Sequence, residues 1–167
     1  MNSIIRFSQK LAAKIHETDL QPAPAAQNPY LDWHAHLFTA RRAQYIIMSN
    51  SNSLFSAVIH GAGITHFNAF LNSMSDMLKE ILHELNTGMI YQRIIAPGFA
   101  NIKIAKKQDK KVIGAMNDMI FFAKLVLNEE EISPYDLSLK LNNYMIRIQG
   151  EHGVPRKVFL GMKMEER

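Results

Sequence analysis

Apolar residues recur at Phe67, Phe70, Leu71, Met74, Met77, Leu78, Ile81, Leu82 and Leu85, the three-and-four spacing of a helix with one buried face. Asn86-Thr87-Gly88 supplies its stop, because glycine takes a left-handed end conformation without a Cβ clash. A second helix is expected from a cap at Asp109 to residue 127, with Val112, Ile113, Met116, Ile120, Ala123 and Leu127 inward. A third, over 134–148, starts on proline and aligns Leu137, Leu141, Tyr144, Met145 and Ile148, with Gly150 ending it. A short helix over 9–16 follows Ser8 as its cap.

Alternation marks the strands. Residues 4–7 are short and β-prone, and 32–39, 44–48 and 54–59 are separated by polar intervals short enough for hairpins. Strand parity places Trp33, Ala35 and Leu37 on one face as core, and Asp32, His34, His36 and Phe38 on the other, partly wet face. Residues 89–95 fit either a short helix or a strand closed by Pro97-Gly98; 101–105 returns as a strand, and 158–160 is a further short candidate. These elements give an α+β class: a mainly antiparallel sheet of about four or five strands backed by three or four helices. The expected organisation is one domain over 1–167, with a Pro-rich surface connection at 19–29 (Pro22, Pro24, Pro29) and a polar tail from about 150.

Composition narrows the function classes. Without cysteine there are no disulfides, thiolate nucleophiles or sulfur-ligated zinc sites. The longest apolar runs fall well short of the roughly 20 residues that cross a bilayer. Near Arg6 and Lys10 there is no sustained apolar stretch or cleavage site of a secretory signal, so the default compartment is the cytoplasm and no membrane partner is expected. The net charge of +4 permits an anionic partner without naming one. Lys103, Lys106, Lys107, Lys110 and Lys111 form a basic cluster, but no RNA- or DNA-binding motif accompanies it, so a nucleic-acid role is not favoured.

The stretch Asp32-Trp33-His34-Ala35-His36 carries the strongest chemical signal. Imidazoles two positions apart on a strand can face one ion, with Asp32 as ligand or orienting group, so His34 and His36 are weak metal candidates for which His60 and His66 would have to supply partners. The plainer explanation is a strand face on which histidines give ring area and ordinary hydrogen bonds. Trp33 is either a core anchor or a ligand-stacking ring. Asn117-Asp118 is a polar pair inside an apolar helix, either exposed or tied into a network, and Gly114 one turn earlier fits close packing against the sheet. No nucleophile elbow, Walker loop, dinucleotide fingerprint or zinc-protease helix is present, and no cofactor is called for.

On Asp32-Trp33-His34-Ala35, Leu54-Phe55-Ser56 and Asp109-Lys110-Lys111-Val112-Ile113-Gly114-Ala115-Met116-Asn117-Asp118, the chain resembles an uncharacterised family of small bacterial domains, from about residue 4 to 143. That family has an Asp-Trp-His-Ala/Asn stretch, a later Gly-Ser-Met-Asn-Asp stretch and no assigned activity. Here His36 stands where the family often has asparagine, Lys110 where arginine is common and Ala115 where serine is usual. What carries over is Asp32, Trp33, His34, Gly114, Met116, Asn117 and Asp118.

The first functional expectation is a binding or accessory domain for a protein or small anionic ligand, with Arg41, Arg42 and Lys110 supplying charge, Trp33 a ring surface, and His34, Asn117 and Asp118 directional contacts. The alternative is a small hydrolase or other acid/base enzyme in which His34 carries the proton and Asp32 or Asp118 orients it or acts as acid. The enzyme requires a concave pocket joining His34 to Asp118; a binding module requires an exposed mixed patch without a catalytic cluster.

Overall fold

The computed structural model describes residues 2–163. Its main sheet contains β1 (Ser3–Phe7), β2 (Asp32–Ala40), β3 (Ala43–Asn50), β4 (Ser56–His60) and β5 (Ile102–Lys106), in the spatial order β4-β3-β2-β1-β5. The hairpins β2–β3 and β3–β4 are antiparallel, as their short loops require. The other half is not: β1 lies parallel to both β2 and β5, so the sheet is mixed instead of mainly antiparallel. The segment from residue 8 to 31, comprising α1 (Gln9–Lys14) and the Pro-rich connection, is long enough for the crossover that a parallel pair needs.

Helices cover both faces, and they outnumber the three or four expected. On one face lie α1, α2 (Phe67–Glu84), α4 (Ala96–Phe99) and α7 (Pro155–Gly161), over Ile5, Phe7, Trp33, Ala35, Ile46 and Met48. On the other lie α5 (Lys110–Glu129) and α6 (Pro134–Asn142), over Phe38, Ala40, Tyr45, Ile47 and Val58. The alternation of these two sets along each strand is the two-residue period of the pleat. The face of β2 expected to be wet is therefore closed: Asp32, His34 and His36 are all buried.

Residues 88–99 are helical, running from α3 (Gly88–Ile90) through a wide turn over Tyr91–Ile95 into α4 without stopping at Pro97. Gly98 in that segment presses on Leu31, where a Cβ would come within 2.5 Å of a side-chain carbon. The helix expected over 134–148 ends at Asn142, whose side chain is turned onto β4. Its last turn gives way to β6 (Ile146–Ile148), paired with β7 (Glu151–Gly153), so Tyr144 and Met145 are exposed instead of inward. Side chains from α6 also seal the outer margin of β4: Val58 N–H donates to Ser138 Oγ at 2.8 Å and Ser56 N–H to Asn142 Oδ1 at 2.7 Å, while Asn142 Nδ2 donates to Ser56 O at 2.8 Å.

The stretch from about 150, expected as a polar tail with a strand at 158–160, carries β7 and α7. Phe159 is fully buried, stacked on Phe55 at 4.3 Å and edge-on to Tyr30 at 5.0 Å. Tyr30 in turn donates to the Met162 carbonyl at 2.7 Å. Phe159→Ala should lower unfolding free energy by about 3–5 kcal/mol in urea denaturation, as for other deep aromatic truncations. A loss below about 1 kcal/mol would mean that α7 is peripheral.

Candidate functional site

Arg6 stands in the middle of β1 with isoleucines before it and Phe7 after it, and only 2% of its surface reaches solvent. Such a charge must be paired and hydrogen-bonded to remain buried. The parallel register sets it beside His34 and near Asp32. Arg6 Nε donates to Asp32 Oδ1 at 3.1 Å and Nη2 to Oδ2 at 2.9 Å; Nη1 and Nη2 also donate to the carbonyls of Ala23 and Pro24 at 2.8 and 3.0 Å. The Ala26 amide completes the carboxylate at 2.9 Å. One guanidinium and one carboxylate thus tie the Pro-rich connection to the centre of the sheet.

From Asp32 the contacts continue across the polar face of β2. Ser51 Oγ donates to Asp32 Oδ1 at 2.7 Å and lies 2.8 Å from His34 Nδ1, while His34 Nε2 donates to the Gln108 carbonyl at 2.6 Å. Ser51 is held by the turn after β3, where Asn50 Oδ1 accepts from the amides of Asn52 and Ser53 and its Nδ2 donates to the Pro29 carbonyl. Gln108 precedes Asp109, which caps α5 through the Lys111 amide with its own backbone left-handed at φ 75°. Around these groups is a polar cleft of about 110 Å³, lined by Arg6, Asp32, His34, Ser51 and the rim residues Asn52, Gln108, Asp109 and Gln149, with Ala25.

Burial alone would raise the Asp32 carboxyl, but hydrogen bonds from Arg6, Ala26 and Ser51, with the Arg6 charge, hold it below the usual carboxylate value. Burial lowers His34, opposed by the Gln108 carbonyl and the charges of Asp32 and Asp109. His36, two residues along, is pushed down to about 4 by burial and by the nearby His34 and Lys107. Its Nε2 has no hydrogen-bond partner among the described residues.

Of the candidate residues, Asp32 and His34 line the cleft and the rest do not. Asp118 is exposed on the outer face of α5 and does not line the cleft, so the His34–Asp118 pair needed for acid/base chemistry is not formed. Both ring nitrogens of His34 are already engaged within the protein. Trp33 lies on the opposite face of β2, fully buried between Phe99 and Phe159, and is a core anchor. Arg41 and Arg42 form the two-residue turn of the β2–β3 hairpin, both with positive φ, roughly 23 Å along the strand from His34. Arg41 Nη2 donates to the Asn128 carbonyl at the end of α5, a good position for a cation. Lys110 and Asn117 are exposed on α5, as are Lys103, Lys106, Lys107 and Lys111 of the basic cluster around it. His66 caps α2, and His60 packs on Tyr45; among the described residues no three His, Asp or Glu side chains gather as an ion site with His34 and His36.

Sequence reasoning missed Arg6, Ser51 and Gln108. Arg6 was detectable, since a lone cation inside a short apolar strand announces a buried partner; Ser51 and Gln108 act through a turn and a backbone carbonyl, which no residue pattern marks.

A family model described as Domain of unknown function (DUF6933) matches residues 4–158. The chain belongs to that family. No curated protein and no solved structure matches it. The family match thus spans the strand carrying Asp32 and His34, all of α5 and the β6–β7 ribbon, and no helix among the described residues is long and apolar enough to cross a membrane.

Asp32→Ala leaves Arg6 as an unpaired buried charge and should destabilise the fold by about 3–5 kcal/mol, measured by chemical denaturation at neutral pH. Because folding lowers the Asp32 pKa from 3.8, its contribution is complete above that value and is lost as pH falls through the folded value. His36 behaves differently with pH. Its ring is neutral in the fold and protonates more readily when unfolded, so stability declines as pH falls from 6.5 towards about 4. His36→Leu should reduce the stability difference between those two pH values, by up to about 3 kcal/mol; an unchanged difference would assign the acid sensitivity elsewhere.

Proposed function

We propose that this is a binding domain that docks a protein partner on the outer face of α5. The supporting observation is a stripe at one-turn spacing: Gly114, Asn117 with Asp118, Phe121 and Leu125. Phe121 is 66% and Leu125 44% exposed on a helix whose other side is core, and the neighbouring Phe122 stacks on exposed Tyr144 at 3.8 Å. An apolar centre with a polar amide and carboxylate beside it has the composition of a recognition surface. Gly114 supports the same reading. Among the described residues a Cβ there would meet nothing within 4 Å, so the glycine weakens the helix without a packing reason among them and suits close approach from outside.

A small anionic ligand is less well supported. The charge of Arg6 is neutralised by Asp32, Asp109 adds a carboxylate to the cleft rim, and Arg41 and Arg42 are at the far end of β2. Acid/base catalysis lacks Asp118 in the cleft that His34 lines.

A photo-crosslinking residue at position 121 of the full chain should capture a discrete polypeptide in living cells, whereas one at exposed position 152 should not. Gly114→Ala should raise unfolding free energy by about 1 kcal/mol and reduce that capture. Identical products from 121 and 152, or capture indifferent to Gly114→Ala, would remove the docking role.

A further inference from the structure

The contacts running Asp32, Ser51, His34, Gln108 fix a proton count. Gln108 contributes a carbonyl oxygen, which only accepts, so His34 Nε2 must bear a hydrogen across the 2.6 Å contact. Ser51 has one hydroxyl hydrogen and gives it to Asp32 Oδ1 at 2.7 Å. Its oxygen is then an acceptor, and the 2.8 Å contact with His34 Nδ1 needs a second ring hydrogen. A neutral imidazole has only one, so in a neutral ring one contact becomes lone pair against lone pair. Placing the extra proton on Asp32 is disfavoured, because Arg6 and Ser51 already donate to Oδ1 and Arg6 and Ala26 to Oδ2.

We infer that His34 is a proton-operated latch: doubly protonated, it ties Ser51 to the Gln108 carbonyl and holds the segment leading into α5; singly protonated, it lets one tie go. The arm that yields is Gln108. Ser51 is buried and anchored on the carboxylate that pairs with Arg6, whereas Gln108 is exposed and its carbonyl can turn to water. Loss of the proton therefore loosens the cleft wall made by Gln108 and Asp109, and acidification closes it.

The groups facing the ring set where this happens. Burial and the Arg6 charge oppose the second proton, while the Gln108 carbonyl, Asp32 and Asp109 favour it. His36 is the next imidazole along β2 and stays neutral until about pH 4, with Lys107 acting against its protonation. The latch thus closes on the acid side of the ordinary imidazole value. It acts on the start of the docking helix but does not depend on that helix having a partner.

The test is nitrogen-detected NMR of the His34 ring in the uniformly labelled full chain from about pH 5 to 7.5, with exchange rates of the Lys111 amide over the same range. On acidification both ring nitrogens should acquire protonated shifts, and Lys111 protection should rise several-fold beyond the intrinsic pH dependence, with the same midpoint. Ser51→Ala abolishes the conflict in proton count, because a neutral ring then satisfies Gln108 alone; protection should become independent of pH. A wild-type ring that remains one neutral tautomer throughout, or a pH-dependent protection that survives Ser51→Ala, overturns the latch.

Discussion

Everything around the cleft rests on one buried ion pair. Arg6 and Asp32 sit on adjacent parallel strands, and each can remain out of water only because the other is there and because carbonyls and amides of the Pro-rich connection take up what is left of their hydrogen-bonding capacity. That requirement gives 19–29 its course. A segment with no helix or strand signal is fixed because its backbone supplies Ala23 O, Pro24 O and Ala26 N–H to two charges in the sheet. The parallel β1–β2 pairing follows the same logic, since it brings the two side chains within reach.

Closing both faces changes the meaning of the Asp32-His34-His36 face. On an open face these groups would titrate and exchange ligands freely. Beneath the start of α5 they are desolvated, and two of them are turned to internal contacts: Asp32 to four donors, His34 to a hydroxyl and a carbonyl. The surfaces left for outside contact are those on which the fold makes no demand, chiefly the outer side of α5 with Phe121 and Leu125.

Local chemistry was legible in the chain where one element decides it. The face of α2, the cap at Asp109, the β2–β3–β4 meander and the alternation through Trp33 follow from spacing and side-chain type, and appear in the structure. What needed the third dimension was pairing between distant elements. Nothing in residues 4–7 says that the strand joins in parallel, and nothing in 134–148 says that the helix will stop at Asn142 with that side chain bonded to β4. The candidate site divided the same way: Asp32 and His34 were visible as a strand pair, while Asn117 and Asp118, equally conspicuous, proved to belong to another surface.

The sealing of β4 has a further effect on how molecules meet one another. With Ser138 and Asn142 occupying one margin of the five-stranded sheet, the other margin is β5, where the Lys106 amide already donates to Gln21 O and the ammonium groups of Lys103 and Lys106 stand exposed. Two such borders repel on approach, and a lysine-guarded border is a recognised defence against aggregation. The sheet is finite by construction: hydrogen-bonded shut on one side, electrostatically discouraged on the other.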